Sequence, residues 1–159
     1  KKSDIIKELV SNLIEQMQGN SLNPPIDPIE NAKFFVDNVV ATFEQDTDFY
    51  RAALMSAEQL RLFDPRIPDG LFQRVQQLAA PRKDWYEAGL FLGNIEPSTI
   101  MKRVHNSNRL GRIDWVSGYI DLNQFRHQVL EGILLVYASD ASPEFHVRLS
   151  KEIKRLSKL

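Results

Sequence analysis

Acid, base or metal chemistry in this chain of 159 residues would have to come from its three histidines and the carboxylates near them. His105, His127 and His146 lie far apart in sequence. Only His127 has an acid, Glu131, four residues on, a spacing that puts both on one helix face. This is half a metal site, because a carboxylate-bridged di-metal bundle repeats Glu-x-x-His on partner helices and no such repeat is present. A solvated or interface ion pair is the expected role. The absence of cysteine excludes a disulfide scaffold, a thiolate metal site and a cysteine nucleophile. No Gly-rich phosphate loop, Gly-x-Ser-x-Gly elbow or His-Glu-x-x-His motif occurs. The residues therefore call for no enzyme activity, no cofactor and no metal.

The aromatic side chains suggest binding instead. Phe34, Phe35, Phe43, Phe49, Tyr50, Phe63, Trp85, Tyr86, Phe91 and Trp115 fall mostly in the middle of the chain, with Met55 and Met101. A helical domain that holds a small apolar or amphipathic molecule needs a concave apolar cavity and a few polar groups to orient the guest. Asn38, Thr42, Arg51, His105 and Asn108 are candidates for those groups. The expected ligand contacts are Phe35, Asn38, Thr42, Tyr50, Met55, Trp85, Met101, His105 and Trp115. Aromatic residues at helical spacing also fill cores, so burial decides between the two roles.

The elements that must position these residues are all helical. Ser3 and Asp4 precede a stripe of Ile6, Leu9, Leu13 and Met17, which predicts an amphipathic helix over residues 4–18. Asn23, Pro24 and Pro25 mark a loop, and Asp27 followed by Pro28 and Glu30 starts the next helix at 28. Ile29, Ala32, Val36, Val39, Val40 and Phe43 keep its period. Asp46 caps a helix from Thr47 to about Leu62. Prolines 65 and 68 keep residues 64–70 out of regular helix. Helix is expected over 71–80, where Pro81 ends or restarts it, and over 84–92, either separate or continuing the first; another runs from Pro97 to about Arg109, with Gly111 interrupting it or passing into a further turn. No strand-like alternation occurs, so the fold class is all-α with about eight helices.

From Trp115 onward the pattern is richer in apolar residues. Asp121 and Gln124 have capping-box spacing, and the helix after them carries Leu122, Phe125, Val129, Ile133 and Val136 on one stripe. Leu130, Leu134 and Tyr137 form a second stripe, which predicts burial on two sides. Ser142, Pro143 and Glu144 open the last helix, with a stripe of Phe145, Leu149, Ile153 and Leu156. Its cations Arg148, Lys151, Lys154, Arg155 and Lys158 suit a solvated face or interface rim near a helix C-terminus.

Trp115, Gly118-Tyr119-Ile120-Asp121, the run from Phe125 to Leu134 and Ser142-Pro143-Glu144-Phe145 together resemble the final two helices of TetR-family transcriptional regulators. Asp46 to Arg51 is similar to an Asp-x-x-Phe-Tyr-Arg stretch of that family, and Lys2-Ser3-Asp4 to the start of the helix that follows its helix-turn-helix. The resemblance implies an effector-binding and dimerisation domain over residues 1–159, without the N-terminal DNA-binding domain. It implies a homodimer in which the last two helices form a four-helix interface. Phe125, Val129, Leu130, Ile133, Leu134, Tyr137, Phe145, Leu149 and Ile153 are then the expected interface residues. Operator DNA would be contacted only through the missing segment. The alternative is an all-helical interaction module that offers the surface from Val129 to Ala138 to another protein and takes no small ligand.

Composition agrees with a single domain, with 43% apolar and 26% charged residues. Twenty basic against 21 acidic side chains leave no electrostatic footprint for nucleic acid. No apolar run reaches the ~20 residues of a membrane span and the N-terminus has no signal-peptide core, so a cytoplasmic protein with no membrane partner is expected.

Overall fold

The computed structural model describes residues 23–63 and 79–159, together with positions 4, 5, 8, 11, 12 and 15. Those six positions are helical, and the stripe Ile6, Leu9, Leu13 and Met17 between them lies outside the described residues. So do the expected loop over 64–70 and all but the end of the expected helix over 71–80. The rest is six helices, here α1 (Pro28–Gln45), α2 (Thr47–Phe63), α3 (Lys83–Glu87), α4 (Pro97–Val116), α5 (Leu122–Ala138) and α6 (Pro143–Ser157). Among the described residues the fold is all-α, with no strand; a single isolated bridge pairs Phe91 with Ala141. None of these helices is long and apolar enough to cross a membrane.

The helix starts follow from local hydrogen bonding. The Asp27 carboxylate accepts from the Ile29 and Glu30 amides at the start of α1, and Asp46 accepts from Phe49 at the start of α2. At α5 the capping box is complete, with Asp121 and Gln124 each accepting from the other's backbone at 2.8 and 2.9 Å. Ser142 receives the Phe145 amide at the start of α6. The expected helix over 84–92 is only one turn and a half, and Gly89 and Gly93, both at positive φ, carry the chain on in irregular structure.

The core forms around α5, which packs on α4, α6 and α1. α4 departs from expectation because it runs unbroken through Gly111 to Val116. The reason is tertiary. A Cβ at Gly111 would lie 2.5 Å from Val129 Cγ2, and one at Gly132 of α5 would lie 2.9 Å from Ser107. The glycines let the two antiparallel helices approach closely, and this contact outweighs the cost of about 1 kcal/mol for glycine within a helix. Gly111→Ala should therefore destabilise the chain by about 1–3 kcal/mol despite alanine's better helix propensity. Urea unfolding of Gly111→Ala and of Gly111→Ala with Val129→Ala checks this, since the second change should restore part of the loss. An alanine variant more stable than the parent would contradict the close crossing.

Ion pairs tie α1 to the C-terminal helices. Asp27 uses its second oxygen to accept from Arg148 of α6, and Asp37 pairs with Arg126 of α5. Lys33 lies 3.0 Å from Glu152 and 3.2 Å from Glu30, and Arg155 also bonds Glu152. Hydrogen bonding from Arg155, opposed by burial and helped by Lys33, holds the Glu152 carboxyl below the usual glutamate range. Burial pulls the Lys33 ammonium down, but Glu152 and Glu30 together raise it. The Glu152 contribution is thus complete above the ordinary glutamate range and is lost as pH falls through its depressed value. Comparing the parent with Glu152→Gln in urea, we expect a gap of about 0.5–1 kcal/mol near neutrality that narrows as pH falls below the ordinary glutamate range and closes once the depressed carboxyl is protonated. A gap that persists in acid would show that the carboxylate's charge contributes nothing.

Candidate functional site

The aromatic side chains separate into two clusters at opposite ends of α1. At its C-terminal end Phe43 stacks on Trp115, with centroids 4.8 Å apart, and also meets Tyr50 and Phe125. At its N-terminal end Trp85 donates from its indole to the Ile26 carbonyl at 2.6 Å. Phe91 is the hub there, within 6.0 Å of the rings of Trp85, Tyr86, Tyr137 and Phe145. Ile26 and Phe43 are separated by about 25 Å of helix at 1.5 Å per residue, so the contacts of Trp85 and Trp115 on this helix lie near its opposite ends. Trp85 is a core residue of the second cluster.

The remaining candidates differ in what they offer. Phe35, Tyr50 and Trp115 are buried in the core. Thr42 is also buried, and its hydroxyl donates to the Asn38 carbonyl within α1. Met55 is exposed, while Asn38, Met101 and His105 are half-buried. The described residues hold no cluster of three or more histidine, aspartate or glutamate side chains.

The polar interior lies between α2 and α4. The Arg51 guanidinium of α2 sits 5.3 Å from the centre of the Trp115 ring of α4. Seven residues further along α2, Glu58 accepts a bidentate pair from Arg109 at 2.9 and 3.1 Å. These two contacts fix an antiparallel register for the helices. Along α4, Met101, Asn108, Arg112 and Trp115 fall within one face at 100° per residue, and Asn108 and Arg112 are both buried. Asn108 is 4% exposed, yet neither its Nδ2 nor its Oδ1 meets a hydrogen-bond partner; the same holds for the Arg51 Nε. A carboxamide buried in this way is costly, because both its donor and its acceptor have lost water. Sequence reasoning selected Arg51 and Asn108 as polar groups but missed Arg112, since an arginine at helical spacing gives no sign of burial.

A second structural device holds the turn between α5 and α6. Asp140 is 1% exposed, and its carboxylate accepts from the Gly93 and Asn94 amides at 2.9 and 3.0 Å. Its own carbonyl accepts from Leu92, and the Ser142 amide donates to Leu90, which places Phe91 in its aromatic hub. The Tyr137 hydroxyl in that cluster donates to the Ala79 carbonyl. Beside the cluster, Pro81, Lys83, Tyr86, Glu87 and Pro97 line an open depression of about 580 Å³ on the surface.

The residues expected at a dimer interface lie in the core of the single chain. Phe125, Val129, Leu130, Ile133, Leu134, Tyr137, Phe145 and Leu149 are all buried within the single chain, and Ile153 is partly buried. The two stripes of α5 are covered by the chain's own α1, α4 and α6, so burial on two sides needs no second copy. Within the surface expected from Val129 to Ala138, Val129, Leu130, Ile133, Leu134 and Tyr137 are core for the same reason. The outward apolar side chains of the terminal helices are Leu135, 52% exposed, and Val147, 54% exposed. No family model, curated protein or solved structure matches this chain.

Proposed function

We propose that this chain is the ligand-sensing and dimerisation domain of a TetR-like transcriptional regulator, in which a small amphipathic molecule controls DNA binding by an upstream helix-turn-helix. The observation that carries the reading is the buried polar seam between α2 and α4, where Asn108 and Arg51 keep unmet hydrogen-bonding atoms. A structural core gains nothing from such groups, whereas a binding site uses them to orient a guest. The capped α5 and α6 hairpin, the basis of the resemblance, is a second support.

In this reading two chains pair through the outward face of α5, where Gln124, His127, Glu131, Leu135 and Ala138 share one side of the helix, and through the adjoining face of α6. The upstream heads of such a dimer would read half-sites roughly 34–36 Å apart. A guest in the seam then shifts the helix expected over residues 4–18 and so changes the separation of the heads. It does so only if it binds the non-DNA-binding conformation more tightly than the other.

Light scattering over a wide dilution range tests the pairing. A stable mass of twice 18.3 kDa is expected. Leu135→Glu, which places charge on the outward face, should reduce it to a single chain while leaving the helical content unchanged. A parent chain that is monomeric at every concentration would count against the reading and favour the interaction module.

A further inference from the structure

We propose that Asn108 is the polar anchor of the interior site and that its natural guest carries a primary carboxamide or a lactam at one end of an apolar body. This rests on the ligand-sensing reading and gives that site a chemical class. Asn108 presents both a donor and an acceptor, each buried and each without a hydrogen-bond partner. A group that satisfies both at once must itself place an acceptor and a donor side by side, as an amide edge does in a planar pair of hydrogen bonds. A carboxylate offers acceptors only, so it would satisfy Nδ2 and turn its lone pairs on Oδ1. A hydroxyl makes the two bonds from one atom, with poorer geometry for a planar partner.

The position of Asn108 agrees with an anchor at the inner end of a site. On α4, Ser107 and Gly111 face α5, and Arg109 faces Glu58 of α2. Asn108 lies between these two directions on the helix surface and so points between α2 and α5. It stands one residue past the Glu58 bridge and about 10 Å along α4 from Trp115, at seven residues of 1.5 Å. Arg51, held over Trp115, is therefore too far along the seam to bond the same head group. It is placed to meet a polar atom further along the guest.

The test uses the whole chain and three probes of equal length: octanamide, octanoate and octanol. Calorimetric titration should show octanamide binding at least tenfold more tightly than octanoate, with octanol between them. The Asn108 side-chain amide signals in ¹⁵N spectra should move with octanamide. Asn108→Leu should erase the preference among the three and raise the unfolding temperature of the free chain, because leucine brings no unmet polar atoms to the core. Octanoate binding as well as octanamide, or a preference that survives in Asn108→Leu, would overturn the inference. So would a lower unfolding temperature in that variant, which would make the carboxamide structural. If the three probes bind alike, the anchor is lost and the sensing reading stands; if none binds, both are lost. The ranking in the parent chain needs no variant, so a poorly folding Asn108→Leu does not remove the test.

Discussion

Leu134→Glu unfolds this chain instead of separating two copies of it. Leu134 is fully buried, on the face of α5 that its own domain covers. The substitution removes about 2 kcal/mol of apolar burial and leaves a carboxylate among apolar side chains with no partner. Together these should cost more than about 4 kcal/mol, a large part of the 5–15 kcal/mol that holds a typical domain. Leu135, the next residue, is half exposed and tolerates the same change. The check is circular dichroism and light scattering on both variants. We expect helical signal to collapse for Leu134→Glu and to persist for Leu135→Glu. A folded, monomeric Leu134→Glu would mean that α5 is rotated about its axis by roughly a third of a turn from the arrangement described.

The other large effect is expected at Asp140. Removing its carboxylate in Asp140→Ala takes away two charge-assisted hydrogen bonds to the Gly93 and Asn94 amides. Each is worth about 1.5–3 kcal/mol when the acceptor is ionised, and water reaches the exposed loop to offset part of that. A net loss of about 2–4 kcal/mol in urea unfolding follows. Asp140→Asn keeps one acceptor and should lose about half as much. The aromatic hub provides an independent readout, because Phe91 is seated by this clasp and stacks on Trp85. Trp85 fluorescence should shift in Asp140→Ala before global unfolding. An Asp140→Ala chain with unchanged stability would show that Phe91 and the backbone bonds at Leu90 and Leu92 hold the loop without the carboxylate.

What could be read from sequence was set by range. The caps at Asp27, Asp46, Asp121 and Ser142 were legible because each hydrogen bond closes within three residues. The apolar stripes of α1, α5 and α6 were legible as stripes. Their partners were not: periodicity marks Leu130, Leu134 and Tyr137 as buried but does not say whether a neighbouring helix or a second chain covers them. Sequence leaves open whether Gly111 interrupts α4 or passes into a further turn, because the reason for it, Val129, lies on another helix. Arg51 and Asn108 were chosen for their type, and only the three-dimensional structure distinguishes them from Thr42, whose hydroxyl is satisfied within its own helix. Asp140 was invisible, since an acid in a short turn ordinarily faces water.

The ion pairs from α1 to the last two helices also bear on how the chain is made. Asp37 waits for an arginine 89 residues later, and Asp27 for one 121 residues later. At a synthesis rate of about 5–20 residues per second, α1 leaves the ribosome several seconds before the helices that cover it exist. During that interval Ile29, Ala32, Val36, Val40 and Phe43 have no C-terminal helix to pack against. The nascent chain thus presents an amphipathic helix with an uncovered apolar face, the kind of segment that chaperones hold. Burial of that face waits for the synthesis of α5 and α6.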